Sequence, residues 1–304
     1  MSIYLSICIP TKGRLEIVKE TLDSIFSDTT VDYNDFEVVL SDNSENDQLK
    51  ELLTGYKQYP NIVYGKTKVE GFFNSIAALQ LGNGCLLKLH NDYTKFNKLT
   101  LKRMIDFVKA EIAAKPMVYF SNNELKRNTV QRYDTFDQFS YDVSFLGTWS
   151  TGFAIWKDDF DKLPKTHLNK IFPHTTLLFE QYYKESFVIN DEELFYNRTI
   201  YTKGGYNLFQ AFSVQYLDMV QESFKQKHLS KRTFAHIKRD LFYRFLVVWY
   251  YNTKIAKNSY TYDLSGIKES VTTYYTGAQY YYMISCASVL SFLKKIKRIL
   301  SPAA

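Results

Sequence analysis

Cysteine is scarce: Cys8, Cys85 and Cys286 are the only three in 304 residues. Their wide separation excludes a zinc-binding spacing and a disulfide framework. With no such staple, a reducing cytosol is the natural compartment. Long apolar runs are also missing. No stretch of roughly 18 uncharged apolar residues occurs, so a transmembrane helix is not expected. No basic stretch or cleavage signal precedes the first apolar run at Ile3, so a secretory signal is not expected either. Internal repeats and low-complexity linkers are absent. Excess charge is small, at +6, but two segments are locally basic, Lys225 to Arg239 and Lys294 to Arg298. Such patches suit anionic lipid head groups or nucleic acid. Nucleic acid is the poorer match, because the tail carries no stacking or basic motif of known spacing.

What the chain has in quantity is apolar and aromatic residues, 45% and 17%, with 25 Tyr and 23 Phe. That is enough for a sizeable core. Tyr joins an apolar face to a hydroxyl, which suits sugar contacts, membrane interfaces and protein interfaces. An AT-rich coding bias gives the same enrichment.

The first ~115 residues alternate strand and helix signals. Tyr4 to Ile9 is a short apolar run stopped by Pro10, as a buried parallel strand would be. Leu15, Val18, Leu22, Ile25 and Phe26 then recur at helical spacing. Phe36 to Leu40 is a second strand ending at Ser41-Asp42-Asn43-Ser44, followed by a polar helix over about 47–56 and a third strand at Asn61 to Tyr64. Phe72 to Leu81 is a helix closed by Gly82-Asn83-Gly84. Cys85 to Leu89 is a fourth strand ending at His90-Asn91-Asp92, and Leu99 to Ala114 is a helix. This alternation predicts βαβ units and a mostly parallel sheet, an α/β fold. Shorter mixed strands follow over 117–163, clearest at Val118 to Ser121 and Gly152 to Trp156. From Asn207 the pattern is helical, over about 207–226, 230–253 and 266–299. Gly204-Gly205 marks the boundary, dividing the chain into an α/β domain over residues 1–205 and a helical region over 206–304.

In open parallel sheets, ligands bind beyond the carboxyl ends of the strands. Polar clusters stand at three such ends: Thr11, Lys12 and Arg14; Asp42 and Asn43; His90, Asn91 and Asp92. Polar loops alone would give some of this.

Ser6-Ile7-Cys8-Ile9-Pro10-Thr11-Lys12-Gly13-Arg14, followed by Leu22-Asp23-Ser24-Ile25, resembles the opening of family 2 glycosyltransferases of the GT-A fold. Phe36 to Ser44 resembles that family's second strand, whose terminal Asp holds the nucleotide. Gly71 to Leu81, with Asn74, resembles the helix before the metal motif, and Leu87 to Asp92 stands where the family has its DxD signature. Further on, Gly147 to Gly152, Phe172-Pro173-His174 and Gly204 to Asn207 resemble, loosely, the abequosyltransferase-like branch. The chain also departs from the pattern. Asn91-Asp92-Tyr93 offers one carboxylate where DxD has two, and the downstream Glu-Asp pair that supplies the base is missing, with Pro173-His174 near its place.

The resemblance implies a GT-A, Rossmann-like, mostly parallel sheet with a C-terminal helical region, residues 1–205 being the nucleotide-sugar-binding and catalytic domain and 206–304 the helical region, a candidate membrane or oligomer contact. It implies transfer of a hexosyl or deoxyhexosyl group from a nucleotide sugar to a glycan acceptor, expected to be lipid-linked, in bacterial surface polysaccharide synthesis at the inner face of the plasma membrane. The donor-binding set is then Pro10, Thr11, Arg14, Asp42, Asn43, Asn74 and Asn91, with Arg14 on a phosphate or on Asp42. Asp42 can accept from a base N–H or a ribose hydroxyl; it can equally cap the helix after Ser44. Asp92 is expected to hold Mg²⁺ or Mn²⁺ together with phosphate oxygens and water. His174 is expected as a second metal ligand or as the base, with an ordinary pKa of ~6.5; it reads equally as structural. Glu180, Asp191, Glu192 and Glu193 are alternative base carriers, the last three otherwise a surface charge run. Trp149, Ser150, Thr151 and Gly152 are expected to line the acceptor side, Trp149 stacking on a pyranose or sitting in the core.

In the tail, Val289, Leu290, Phe292, Leu293, Ile296, Ile299 and Leu300 alternate with Lys294, Lys295, Lys297 and Arg298. On a helix over 289–300 this is an apolar stripe flanked by cations, suited to an anionic membrane surface or to packing against the domain or another subunit. Phe242 to Tyr251 is apolar nearly all round and is expected to be buried, inside the protein or in a homo-oligomer. Two other function classes stand beside the transferase. A sugar nucleotidyltransferase would need a longer Gly-rich basic loop than Pro10 to Arg14. A non-catalytic membrane-associated nucleotide- or glycan-binding protein would use the basic tail.

Overall fold

The computed structural model describes residues 3–200 and 204–300, with side chains up to residue 296. The chain divides between Thr199 and Ile200 into two compact units.

The first unit is built on a five-stranded sheet. Its strands are β1 (Leu5–Thr11), β2 (Phe36–Asp42), β3 (Ile62–Lys66), β4 (Leu86–Leu89) and β8 (Ala154–Trp156). They lie in the order β3-β2-β1-β4-β8. The first four are parallel and β8 runs antiparallel to β4. Alternation along the strands sorts the two faces. Leu5, Ile7 and Ile9 of β1 and Phe36, Val38 and Leu40 of β2 join one apolar cluster with Val18, Leu22 and Ile25 of α1 (Leu15–Phe26) and Leu101, Met104, Ile105 and Val108 of α4 (Thr100–Glu111). The residues between them, Ser6 and Glu37, bond each other at 2.6 Å. On that side α3 (Asn74–Leu81) packs against β1, β2 and β4.

The first strand does not stop at Pro10; it continues to Thr11. Its ladder to β4 has already ended at Cys8 and Leu89. The Cys8 carbonyl faces β4, accepting from His90 N at 2.8 Å, so the side of Pro10 that lacks an N–H faces β4 beyond the ladder. No pairing is lost there.

Smaller sheets complete the unit. β5 (Thr94–Phe96) pairs with β10 (Phe195–Asn197), and β9 (Phe187–Asn190) lies between β6 (Met117–Phe120) and β7 (Val130–Tyr133). α2 (Gln48–Leu52), α5 (Phe136–Val143), α6 (Lys157–Lys162) and α7 (Pro173–Phe179) are the remaining helices.

The second unit is mainly helical. Gly204 and Gly205 open a short strand, β11 (Gly204–Asn207), paired with β12 (Thr261–Asp263). A Cβ on Gly204 would lie 2.3 Å from the Thr261 carbonyl carbon, so the close approach requires glycine. Helical turns run over 208–225 and 231–255, each containing π-helical turns. The helix expected over 266–299 is two helices, Ile267–Thr272 and Gly277–Leu300. The segment Phe242 to Tyr251 is buried on one side only. Phe242, Leu246 and Val247 are inside, while Tyr243 is 49% exposed. On the last helix Val289, Phe292 and Leu293 are exposed. The side chains of Lys297, Arg298, Ile299 and Leu300 lie outside the described residues. Among the described residues no helix is long and apolar enough to cross a membrane.

Candidate active site at the β1 and β4 ends

The chain passes from β1 outward to β2 and β3, then returns to the other side of β1 to make β4. Strand order therefore reverses between β1 and β4, and the carboxyl ends of these two strands flank the crevice such a reversal creates. There Asp92 is buried. Its Oδ2 accepts from Thr11 Oγ1 at 2.8 Å and from Arg14 Nε at 3.0 Å, and Arg14 Nη2 stands 2.7 Å from Oδ1. Arg14 is the residue just before α1, and its guanidinium lies over the Tyr93 ring at 5.5 Å. Thr21 of α1 donates to the Asp92 carbonyl at 2.7 Å, so α1 holds the aspartate's backbone while the end of β1 and the β1–α1 loop hold its carboxylate. Burial pushes the Asp92 carboxyl up from its ordinary value, and Arg14 and Thr11 pull against that shift. Arg14 thus pairs with Asp92, not with Asp42 as one of the sequence alternatives had it.

Asp42 is the register partner of Thr11 across β1 and β2. Its Oδ1 accepts from Ser44 N at 2.9 Å and Ser44 Oγ at 2.5 Å, and its Oδ2 from Tyr64 OH at 3.0 Å and Lys66 Nζ at 3.2 Å. Burial opposes ionisation, but these four donors outweigh it and hold the carboxyl below its ordinary value. Asn74, at the start of α3, accepts from Ser41 Oγ at 2.7 Å and donates to Ser41 O at 3.0 Å and Thr11 O at 3.4 Å. It ties the ends of β1 and β2 together. Asn43 donates its side-chain N–H to Val69 O at 2.9 Å, fixing the loop before α3.

On the other side of Asp92, Ser150–Gly152 forms a 3₁₀ turn. Asn91 N donates to Thr151 Oγ1 at 3.2 Å, Ser150 Oγ donates to Asn91 Oδ1 at 2.9 Å, and Asn91 Nδ2 donates to Tyr93 OH at 2.8 Å. The turn is thereby stitched to the residue beside Asp92. Gly152 is required there, because a Cβ would fall 2.3 Å from Cζ of buried Tyr119. The Tyr119 hydroxyl in turn holds the Leu146 carbonyl. Trp149 is half-buried, its ring 5.9 Å from that of Phe195.

A family model described as glycosyl transferase family 2 matches residues 6–189, more than half of the chain. The chain belongs to glycosyl transferase family 2. Solved structures of TarS from S. aureus are similar to this family 2 chain. TarS 1-349 superposes with a TM-score of 0.58 at 13% identity, covering 83% of this chain and 75% of that one. TarS 1-349 in complex with UDP-GlcNAc gives 0.56 at 15% identity, covering 82% and 73%. A longer TarS chain gives 0.55 at 14% identity, and the match spans 44% of its length. Among curated proteins no sequence relative matches. The mixed α/β architecture with a mainly parallel central sheet is the GT-A-like fold of these neighbours.

Within this family 2 site the remaining expected residues fall elsewhere. His174 is buried at the start of α7, with Nε2 3.0 Å from the Thr148 carbonyl. A carbonyl only accepts, so Nε2 carries the proton. Beside it Thr175 Oγ1 donates to Gly147 O at 2.9 Å. Burial pushes the imidazole down to about 4, which makes it a poor proton acceptor at neutral pH. These contacts make His174 a clip for the segment leading into the Ser150–Gly152 turn. Glu180 is 3.0 Å from His167 and Glu192 pairs with Arg103. Asp191 is no surface charge. It is buried and accepts from Ser121 Oγ at 2.6 Å and from the amides of Leu125, Arg127 and Asn128 at 2.9–3.2 Å, holding the loop after β6. Among the described residues no group of three or more His, Cys, Asp or Glu is placed to hold a metal.

Sequence reasoning missed Tyr64 and Lys66, which hold Asp42, and Thr21, which holds the Asp92 backbone. It also passed over Lys88. A lysine inside the apolar run Leu86-Leu87-Lys88-Leu89 was a visible signal.

Proposed function

We propose that the chain transfers a sugar from a nucleoside-diphosphate sugar to a glycan hydroxyl, with the diphosphate seated at the carboxyl ends of β1 and β4. The observation that carries this reading is the convergence of Thr11, Arg14 and Asp92 at the strand-order reversal of a family 2 chain. Arg14 is 38% exposed at its side chain and can offer its outer N–H groups to phosphate oxygens without leaving Asp92. Asp42, with Lys66 beside it, marks the nucleoside end. The turn at Trp149 to Gly152 marks the acceptor end, with the half-buried Trp149 ring and the Ser150 hydroxyl as sugar contacts.

Mg²⁺ or Mn²⁺ fits the residues present. Asp92 Oδ1 is buried with Arg14 Nη2 beside it at 2.7 Å but not aligned as a hydrogen bond; such ions accept one protein carboxylate when phosphate oxygens and water complete the shell, and Arg14, partly exposed, is free to turn to the phosphates. Asp92 would hold the ion, which when bound supplies positive charge to the departing diphosphate. Arg14 shares that task from the protein side, and Thr11 and Thr21 keep Asp92 in place.

Titrating the chain with UDP, GDP, CDP and dTDP by calorimetry, with and without Mn²⁺, tests the reading. One nucleotide should bind at least ten-fold more tightly than the others, and Mn²⁺ should tighten it further. Binding of none of the four would refute the proposal. The TarS complex holds UDP-GlcNAc, so UDP is the first nucleotide to try.

For the acceptor we propose a lipid-linked glycan met at the inner membrane face, in surface polysaccharide synthesis. The support is the last helix, where exposed Val289, Phe292 and Leu293 adjoin exposed Lys294 and Lys295. The 304-residue chain should co-sediment with phosphatidylglycerol vesicles, and removal of residues 289–304 should abolish this. Unchanged sedimentation would leave the helix to packing or self-association.

A further inference from the structure

Lys88 is the one fully buried lysine among the described residues. It lies in β4, four residues before Asp92, and forms no ion pair with any described Asp or Glu. Burying an ammonium without a counter-charge is costly unless every proton finds an acceptor. Here the three protons have three acceptors. Lys88 Nζ is 3.0 Å from Leu89 O, 3.0 Å from Thr151 O and 3.5 Å from His90 Nδ1. His90 Nε2 faces the Thr94 carbonyl at 2.9 Å and so carries the ring proton, leaving Nδ1 as an acceptor. The rings of Phe195 and Phe120 add their faces at 4.8 and 5.6 Å, which favours the cation further. Burial pushes Lys88 down to about 7 against a smaller opposing pull from Cys8.

One of the three bonds crosses between elements. Thr151 belongs to the acceptor-side turn, and its hydroxyl already receives the Asn91 amide. Lys88 and Asn91 therefore grip the same residue from the β4 side, one by its carbonyl and one by its side chain.

We propose that Lys88 is a positioning residue for transfer: its ammonium fixes the Ser150–Gly152 turn against the end of β4, and so sets the distance between the acceptor hydroxyl and the donor held at Asp92. Lys88 takes part in none of the hydrogen bonds and ion pairs that join Thr11 and Arg14 to Asp92 or hold Asp42, so its hold is on the acceptor side. This inference rests on the transferase reading above.

The test is Lys88→Met, which keeps an unbranched apolar stem as far as Cε and removes all three donors. Turnover is followed as nucleoside diphosphate released from UDP-GlcNAc, or from the nucleotide sugar matching the best-bound nucleotide, with methyl pyranosides offered as acceptors. The expected result is a kcat lowered at least ten-fold with the nucleotide Kd within two-fold of wild type, and faster hydrogen exchange at the Asn91 amide. Unchanged kcat, or kcat and nucleotide affinity falling together, overturns the proposal. If Lys88→Met does not fold, Lys88→Gln decides by the same readings, since its shorter carboxamide keeps a buried N–H donor but cannot satisfy the three acceptors that Lys88 holds. Wild-type chain that binds no nucleotide refutes the transferase reading instead, so the two failures are told apart.

Discussion

Asp92→Asn should lower turnover of the nucleotide sugar by about 10²- to 10³-fold, the loss typical when one preorganised electrostatic contact is removed from a reacting centre, and should leave the fold intact. The second part follows from exposure. Arg14 is 38% exposed at its side chain, so losing its partner frees the guanidinium to turn into water and leaves no buried cation stranded. The first part follows from the three tasks that meet on one carboxylate. Asp92 fixes Arg14 where a diphosphate would lie, it receives the Thr11 hydroxyl that ends β1, and its Oδ1, now paired with Arg14 Nη2, carries the charge a cation would take up. The asparagine keeps the volume and one carbonyl oxygen, so Thr11 retains a partner while the charge is gone. Nucleotide affinity in the presence of Mn²⁺ should weaken about ten-fold, less than kcat, because the charge matters most as the leaving group develops. Thr11→Val and Arg14→Gln, each milder, should combine with Asp92→Asn at less than the sum of their separate costs, since all three share one network. Full turnover in Asp92→Asn would remove the aspartate from the chemistry and, with it, the seat assigned to the diphosphate.

Much of this site was legible in the sequence because parallel strands punctuate themselves. A strand buried on both faces is a mainly apolar run, broken here only by single residues such as Ser6, Glu37 and Lys88, so its end is marked by the first polar cluster. Thr11, Asp42 and Asp92 were found that way. Which polar group faces which was not legible, because it depends on register. Thr11 and Asp42 are register partners, yet the Asp42 carboxylate is taken by Ser44, Tyr64 and Lys66, and Arg14 reaches Asp92 instead. Lys66 comes from the third strand, far along the chain from Arg14, and nothing local announces the pairing. The same holds for Asp191. In sequence it opens a run of three acids, but in the fold it is the buried anchor of a loop in which Asn122, Asn123, Lys126 and Asn128 all adopt positive φ, a conformation that asparagine tolerates better than most residues. The helical half was legible as helical but not in its breaks. The interruption between Thr272 and Gly277 falls where no proline marks it.

Acidification should cost the folded chain about 3 kcal/mol through His174 alone, taking ~1.36 kcal/mol for each pH unit between the folded and unfolded values. In the unfolded chain the imidazole takes up a proton near its ordinary value of ~6.5; in the fold, burial holds it down to about 4. Between those values the unfolded state binds the proton and the folded state does not, so stability falls as pH drops from about 6.5 towards 4. Above pH 6.5 both states are neutral and His174 contributes no slope. His90, also buried and held well below its ordinary value, adds to the same limb. His174→Gln isolates the His174 contribution, because its carboxamide N–H can still donate to Thr148 O but cannot titrate. Urea unfolding measured from pH 7.5 down to 4.5 should show wild type losing stability more steeply than the variant, with the two curves parallel above pH 7. The same variant decides the residue's part in the reaction. As a clip held neutral, His174 should leave the acidic limb of the kcat profile where it is when replaced by Gln, with kcat at pH 7.5 within about ten-fold of wild type. A shift of that limb, or a loss of about 10³-fold at pH 7.5, would return His174 to the role of general base and would require its Nδ1, not Nε2, to face the acceptor.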